Sequence, residues 1–228
     1  MHGKTLDHPH GGSPVVRIGA DPADASSAMI LIHGRGASAE SMVPLAESLT
    51  TDDADNMAVL IPQAAGSVWY PQRFIAPLEG NEPYLSSALA VVTSLLEELV
   101  SADIAPTRII IGGFSQGACL SAEFAARHPQ RYGGILVFSG GVIGPPGTDF
   151  GGLYSGDLAG TPAFIGCSDT DFHIPLERVR ETTAALTGLG ANATERIYPG
   201  MGHTINADEL AAAKEIVQRV AAGSDTGP

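Results

Sequence analysis

Short apolar runs alternate with helix-periodic segments along nearly the whole chain, and that alternation restricts the fold more than any single residue does. The runs at 15–18, 29–33, 58–61, 108–112, 135–139, 163–167 and 194–198 have strand length and composition. Helical patterns fall between or after them, at 39–49, 84–101, 116–128, 175–189 and 207–221. Leu85, Leu89, Val92, Leu96 and Leu99 place one apolar face on the second of these. Pro175 suits a first helical turn and Gly190 the position just past a helix end. Strands alternating with helices predict a mostly parallel, doubly wound α/β sheet with helices on both faces. Too few residues separate 18 from 29 for a helical crossover, so the first strand is expected to be an antiparallel edge. No internal repeat or linker divides the chain. One domain is expected over 14–221, with flexible tails at 1–13 and 222–228.

The chain has 228 residues, of which 12 are Lys or Arg and 25 are Asp or Glu, a net charge of −13. That charge repels nucleic acid and anionic membrane, so neither nucleic-acid binding nor membrane insertion is expected. The N-terminal residues carry no apolar signal-type core, and no apolar run looks long enough to span a bilayer. A cytoplasmic protein is the expectation. Cys119 and Cys167, the two cysteines, do not make a disulfide framework and are expected as buried thiols. The histidines at 2, 8 and 10 lack a scaffold and are not expected to bind metal.

Chemistry concentrates around Gly113-Phe114-Ser115-Gln116-Gly117, between the buried run Ile109-Ile110-Ile111 and a helical pattern. G-x-S-x-G in a strand–turn–helix context is a nucleophile elbow, in which a sharp turn lifts the serine hydroxyl above the sheet. Glycines at 113 and 117 avoid collisions with neighbouring elements. The helix that follows points its positive end at developing negative charge. A serine hydroxyl needs a base. His128, His173 and His203 follow Ser115, and His203 is the best candidate, on the glycine-rich stretch "YPGMGHTIN" directly after the last strand. The acid belongs between them, and "CSDTDFHIP" offers both Asp169 and Asp171. Backbone N–H groups of Gln116 and of Arg35, in His33-Gly34-Arg35-Gly36, are the expected oxyanion donors. The Arg35 side chain is expected to point into solvent.

Two long connections, 62–83 and 140–162, leave predicted strands at the carboxyl edge of the sheet, where open α/β sheets bind ligands. The first holds Val68, Trp69, Tyr70, Phe74 and Ile75. Trp69, Tyr70 and Phe74 are expected to wall the substrate pocket and to favour short-to-medium acyl or aryl groups.

The motifs HGRG, GFSQG, CSDTDFHIP and GMGH together resemble the phospholipase/carboxylesterase family of α/β-hydrolases, which includes acyl-protein thioesterases. The likeness spans roughly residues 28–220. The family pattern D-x-x-V-P, read here as Asp171-Phe172-His173-Ile174-Pro175, implies Asp171 as the acid. The resemblance further implies a serine esterase that needs no metal or cofactor and has no large cap domain. "PQAAGSVWYPQRF" is more similar to a small bacterial esterase branch than to the protein-depalmitoylating members.

Competing readings are weaker. Gly34-Arg35-Gly36-Ala37-Ser38-Ala39 fits a dinucleotide fingerprint, but the next strand ends in Pro62-Gln63 with no ribose-reading acid. The expectation is therefore a carboxylesterase acting on a small-molecule ester through Ser115, Asp171 and His203. A thioesterase or lysophospholipase for longer chains, or a non-catalytic binding module, is the alternative. A homodimer is compatible with the sequence.

Overall fold

The computed structural model describes residues 8–50 and 56–223. Seven strands form one sheet: β1 (Val15–Gly19), β2 (Ser27–Ile32), β3 (Met57–Pro62), β4 (Ile109–Phe114), β5 (Gly134–Phe138), β6 (Pro162–Ser168) and β7 (Asn192–Tyr198). Their spatial order is β1-β3-β2-β4-β5-β6-β7. β1 runs antiparallel to β3 and every other pairing is parallel. The helices are α1 (Val43–Leu49), α2 (Tyr84–Ser101), α3 (Gln116–Arg127), α4 (Phe150–Leu153), α5 (Leu176–Gly188) and α6 (Ala207–Ala221). This is the mostly parallel α/β sheet that the alternation predicts, in the α/β-hydrolase-like form that the resemblance implies.

Strand side chains alternate between the two faces of the sheet. Ala28, Ile30, Ile32, Ile109 and Ile111 join one apolar cluster with residues of α2, α3 and α5. Met29, Leu31 and Ile110 face the other way, against residues of α1 and α6. All six residues of both β2 and β3 are buried. Coverage on both faces is why these strands read as continuous apolar runs rather than alternating ones. By length and apolar composition α2 could cross a membrane, contrary to the expectation from inspection of the sequence. In the fold Leu85, Ala88, Leu89, Val92, Leu95, Leu96 and Leu99 instead seat it on the sheet and its neighbouring helices.

Three local expectations change. The segment 39–49 is not one helix: a 3₁₀ turn, Glu40–Met42, precedes α1. Pro44 lies in the first turn of α1 and has no N–H to continue a ladder from upstream. The 140–162 connection contains α4, capped by the Asp149 carboxylate, which accepts from the Gly152 N–H at 3.1 Å. The N-terminal tail does not extend to 13. His10 is 1% exposed. Its N–H donates to Ser87 Oγ at 3.0 Å, and its ring packs against Trp69 and Tyr84. Residues 1–7 and 224–228, the remainder of the expected tails, lie outside the described residues together with 51–55.

Candidate active site

Ser115 sits between β4 and α3 with φ 57° and ψ −119°, a backbone conformation that L-residues adopt at a cost. The surroundings hold it there. A Cβ on Gly113 would lie 2.6 Å from the Ile32 carbonyl oxygen and 2.6 Å from the Gly117 carbonyl carbon. One on Gly117 would collide with that same Ile32 oxygen. Only glycine lets α3 start this close to β2 and β4. The Ser115 N–H donates to the Phe138 carbonyl at 2.9 Å, which ties the turn to β5.

His203 Nε2 lies 2.8 Å from Ser115 Oγ, and His203 Nδ1 lies 2.6 Å from Asp171 Oδ2. With the carboxylate as acceptor, Nδ1 carries the proton and Nε2 is left to accept from the serine. The Asp171 side chain is fully buried. Its other oxygen accepts the N–H groups of His173 at 2.8 Å and Ile174 at 3.1 Å, which aims the carboxylate at the ring. The His203 ring is flanked by Phe114 at 4.9 Å and, edge-on, by His173 at 4.8 Å between centroids.

The two aspartates that the residues alone left open have separate places. Asp169 does not reach His203. Its Oδ1 accepts the Gly200 N–H at 2.8 Å, while Ser168 Oγ accepts the Gly202 N–H at 3.0 Å. Both hold the loop that presents His203, whose glycines at 200 and 202 have φ 68° and 79°. His128 caps the far end of α3 and takes no part.

Among the described residues, the backbone N–H groups of Arg35 and Gln116 make no hydrogen bond, and both residues line the cavity beside Ser115. The Gly34 backbone approaches so closely that a Cβ there would stand 3.2 Å from Ser115 Cβ. The cavity measures about 310 Å³. Tyr70, Phe74, Phe114, Cys119 and Ile174 supply its apolar wall.

Trp69 corrects the expected pocket. It is fully buried and does not line the cavity. Its indole N–H donates to the His33 carbonyl at 2.9 Å, and its ring packs between His10 and His33. A large ring with one donor is stable in a core that supplies one acceptor, and the 62–72 segment offers that core on its inner side. The Arg35 side chain is exposed, as expected, and is held there by donating to the carbonyls of Tyr70 (2.7 Å), Pro71 (3.1 Å) and Gln72 (2.7 Å).

A buried polar lattice that leaves no local sequence pattern fixes this loop. Gln116 Oε1 accepts the Trp69 N–H and Gln116 Nε2 donates to the Tyr70 carbonyl, each at 2.9 Å. His33 Nε2 accepts the Ala64 N–H at 3.0 Å, so its proton sits on Nδ1, which donates to the Gly34 carbonyl at 2.7 Å. His10 accepts the Ala65 N–H on Nδ1 at 3.1 Å and donates from Nε2 to the Trp69 carbonyl at 2.9 Å. Burial pushes both imidazoles below their ordinary pKa, in keeping with these neutral roles. Burial also pushes the Cys119 and Cys167 thiols up to about 12. Neither thiol is primed as a nucleophile near neutral pH.

Comparison with known proteins agrees with this geometry. A phospholipase/carboxylesterase with a solved structure, from Dyadobacter fermentans, superposes with a TM-score of 0.84 at 37% identity, covering 90% of this chain and 96% of that one. Acyl-protein thioesterase 1 of Eremothecium gossypii is 31% identical over 84% of this chain and 86% of its own length. A probable carboxylesterase, SOBER1-like, of Arabidopsis thaliana is 25% identical over 82% of this chain and 76% of its own. The sequence model of the Phospholipase/Carboxylesterase family matches residues 13–221, from the edge strand to the last helix. On that match and on the elbow it contains, the chain belongs to the phospholipase/carboxylesterase family of hydrolases.

Proposed function

We propose that the protein is a serine carboxylesterase for short-to-medium acyl or aryl esters, working through an acyl-enzyme. The observation that carries this reading is the contact series Ser115 Oγ–His203 Nε2–Asp171 at 2.8 and 2.6 Å, on a strained elbow beside an apolar cavity. His203 takes the Ser115 proton as Oγ attacks the ester carbonyl. The oxyanion is stabilised by the unengaged N–H groups of Arg35 and Gln116 and by the positive end of α3. As the tetrahedral species collapses, His203 returns the proton to the departing alcohol. Water then enters, gives a proton to His203 and attacks the acyl carbonyl, and the second collapse restores Ser115. Asp171 keeps the imidazole in the productive tautomer and stabilises the imidazolium at each stage.

The cavity volume supports the preference for small groups, since about 310 Å³ lies at the lower end of ligand pockets, roughly 300–1,000 Å³. The name of the Eremothecium relative, an acyl-protein thioesterase, supports a second reading, thioesterase activity, which we extend to longer acyl chains. The same machinery would serve it. Rates on 4-nitrophenyl esters of increasing acyl length, beside an acyl-CoA, separate the two. A maximum at short-to-medium esters is expected. A kcat/KM that climbs to the sixteen-carbon ester, or strong acyl-CoA turnover, would favour the second reading.

A further inference from the structure

The rim of the cavity has the opposite charge to the rest of the molecule. Asp and Glu outnumber Lys and Arg 25 to 12 in the chain. Yet the basic side chains lining this cavity are Arg35, Arg73, His173 and His203, with no Asp or Glu among the described lining residues. Arg17, Arg127, Arg178 and Arg196 each meet a carboxylate elsewhere. Arg35 and Arg73 meet none among the described residues. The donors of Arg35 go to three backbone carbonyls, which orient the guanidinium without cancelling its charge. Arg73 is exposed and makes one long contact, at 3.4 Å, to the carbonyl of His173. His173 in turn stands edge-on to the His203 ring. Arg73 therefore touches the residue that stands against the imidazole beside Ser115.

We propose that the preferred substrates are esters that carry a second, ionised carboxylate, held at the rim by Arg73 with support from Arg35. This inference rests on the esterase reading above. A guanidinium matches a carboxylate in shape and charge. The apolar interior of Tyr70, Phe74 and Cys119 takes the uncharged side of the ester. A carboxylate kept at the exposed rim avoids the desolvation that a deeper site would impose.

Two matched ester pairs test this: mono-4-nitrophenyl adipate against 4-nitrophenyl hexanoate, with the charge on the acyl side, and 4-butyryloxybenzoate against 4-butyryloxybenzamide, with it on the alcohol side. Intrinsic reactivity cancels when the anionic-to-neutral ratio of kcat/KM is compared between wild type, Arg73→Gln and Arg73→Glu. In at least one pair Arg73→Gln is expected to lower the ratio by roughly threefold to tenfold. Arg73→Glu should lower it further, and added salt should compress the wild-type ratio. Ratios that stay constant across the three proteins in both pairs, with turnover abolished by Ser115→Ala, would overturn the carboxylate preference and leave the esterase reading standing. No turnover of any of the four esters would overturn both.

Discussion

Gln116 joins the start of the nucleophile helix to the loop that walls the cavity: its side chain accepts the Trp69 N–H and donates to the Tyr70 carbonyl, both at 2.9 Å. The residue whose backbone N–H we propose as an oxyanion donor thus also fixes the wall. Gln116→Ala keeps that N–H but leaves a buried Trp69 N–H unpaired, at a cost of about 1–3 kcal/mol in stability. Activity is expected to fall about tenfold through the displaced wall, less than the 10²–10³ typical of losing an oxyanion donor. Urea denaturation and kcat/KM on a short ester check both; an unchanged midpoint would show the bonds are not made.

The aspartates are expected to separate kinetically. Asp171→Asn should reduce kcat by about 10³–10⁴, because the amide cannot hold the His203 tautomer that leaves Nε2 as acceptor. Asp169→Asn retains an oxygen for the Gly200 N–H and should cost about tenfold or less. Reversed effects would transfer the acid's role to Asp169.

Trp69 and Phe74 should also diverge. Trp69→Ala is expected to lose about 3–5 kcal/mol of stability, as a fully buried ring is removed from the core. Phe74→Ala widens the cavity and should move the preferred acyl group to longer chains, each added methylene gaining at most about 0.8 kcal/mol. A chain-length profile for Phe74→Ala identical to wild type would contradict the assigned wall.

Much of this was legible in the sequence, and what was not has a common cause. Most of the strands follow from apolar runs whose period and length are local properties, as in Ile109-Ile110-Ile111. The meeting of Ser115 and His203 was legible because the elbow and the last loop carry compact motifs at the strand ends, whereas the choice of Asp171 over Asp169 came only from the family resemblance. The roles of Trp69, His10 and His33 and the anchoring of the exposed Arg35 side chain were not legible. Each is decided by a bond to a backbone group far along the chain, such as His10 to Trp69 across 59 residues, and such bonds impose no periodicity. Five apolar residues in one loop suggested a single wall, whereas a loop has an inner and an outer side. Tyr70 and Phe74 reach the cavity while Trp69 serves the core. For α4 the signal was present: Asp149 heads it as a cap, although four residues are too few for a period.

Two buried groups give opposite pH dependences. His10 has its pKa lowered from 6.5, chiefly by burial, against the backbone groups of Trp69 and Tyr84, which raise it. The unfolded chain therefore binds this proton more readily than the fold. The contribution of His10 is intact above about pH 6.5 and declines as pH falls below it. The stability gap between wild type and His10→Gln should narrow as pH falls below about 6.5. Fluorescence of Trp69, the single tryptophan, reports unfolding beside that very contact. A gap that is constant or widens over this range would contradict the neutral role.

Glu209 behaves in the reverse sense. Burial raises its carboxyl from 4.5 to about 7, partly offset by the Asn206 N–H. Its other oxygen has no partner among the described residues. The fold holds this proton more tightly than the unfolded chain, so the contribution is complete below about 4.5 and is lost as pH rises through about 7. Glu209→Gln is expected to stabilise the protein by roughly 1–3 kcal/mol above that pH and by little in acid. Equal effects at both ends would show that the carboxyl does not titrate in this range.

Ser115 as the attacking group is tested most directly by covalent capture. Brief exposure to a fluorophosphonate, followed by digestion and peptide mass analysis, is expected to place one phosphonyl group on Ser115 as esterase activity falls in proportion. Ser115→Ala should take up none and lose about 10⁴-fold or more in kcat. Stoichiometric labelling at any other residue, or a Ser115→Ala protein that keeps its esterase rate, would contradict the assignment.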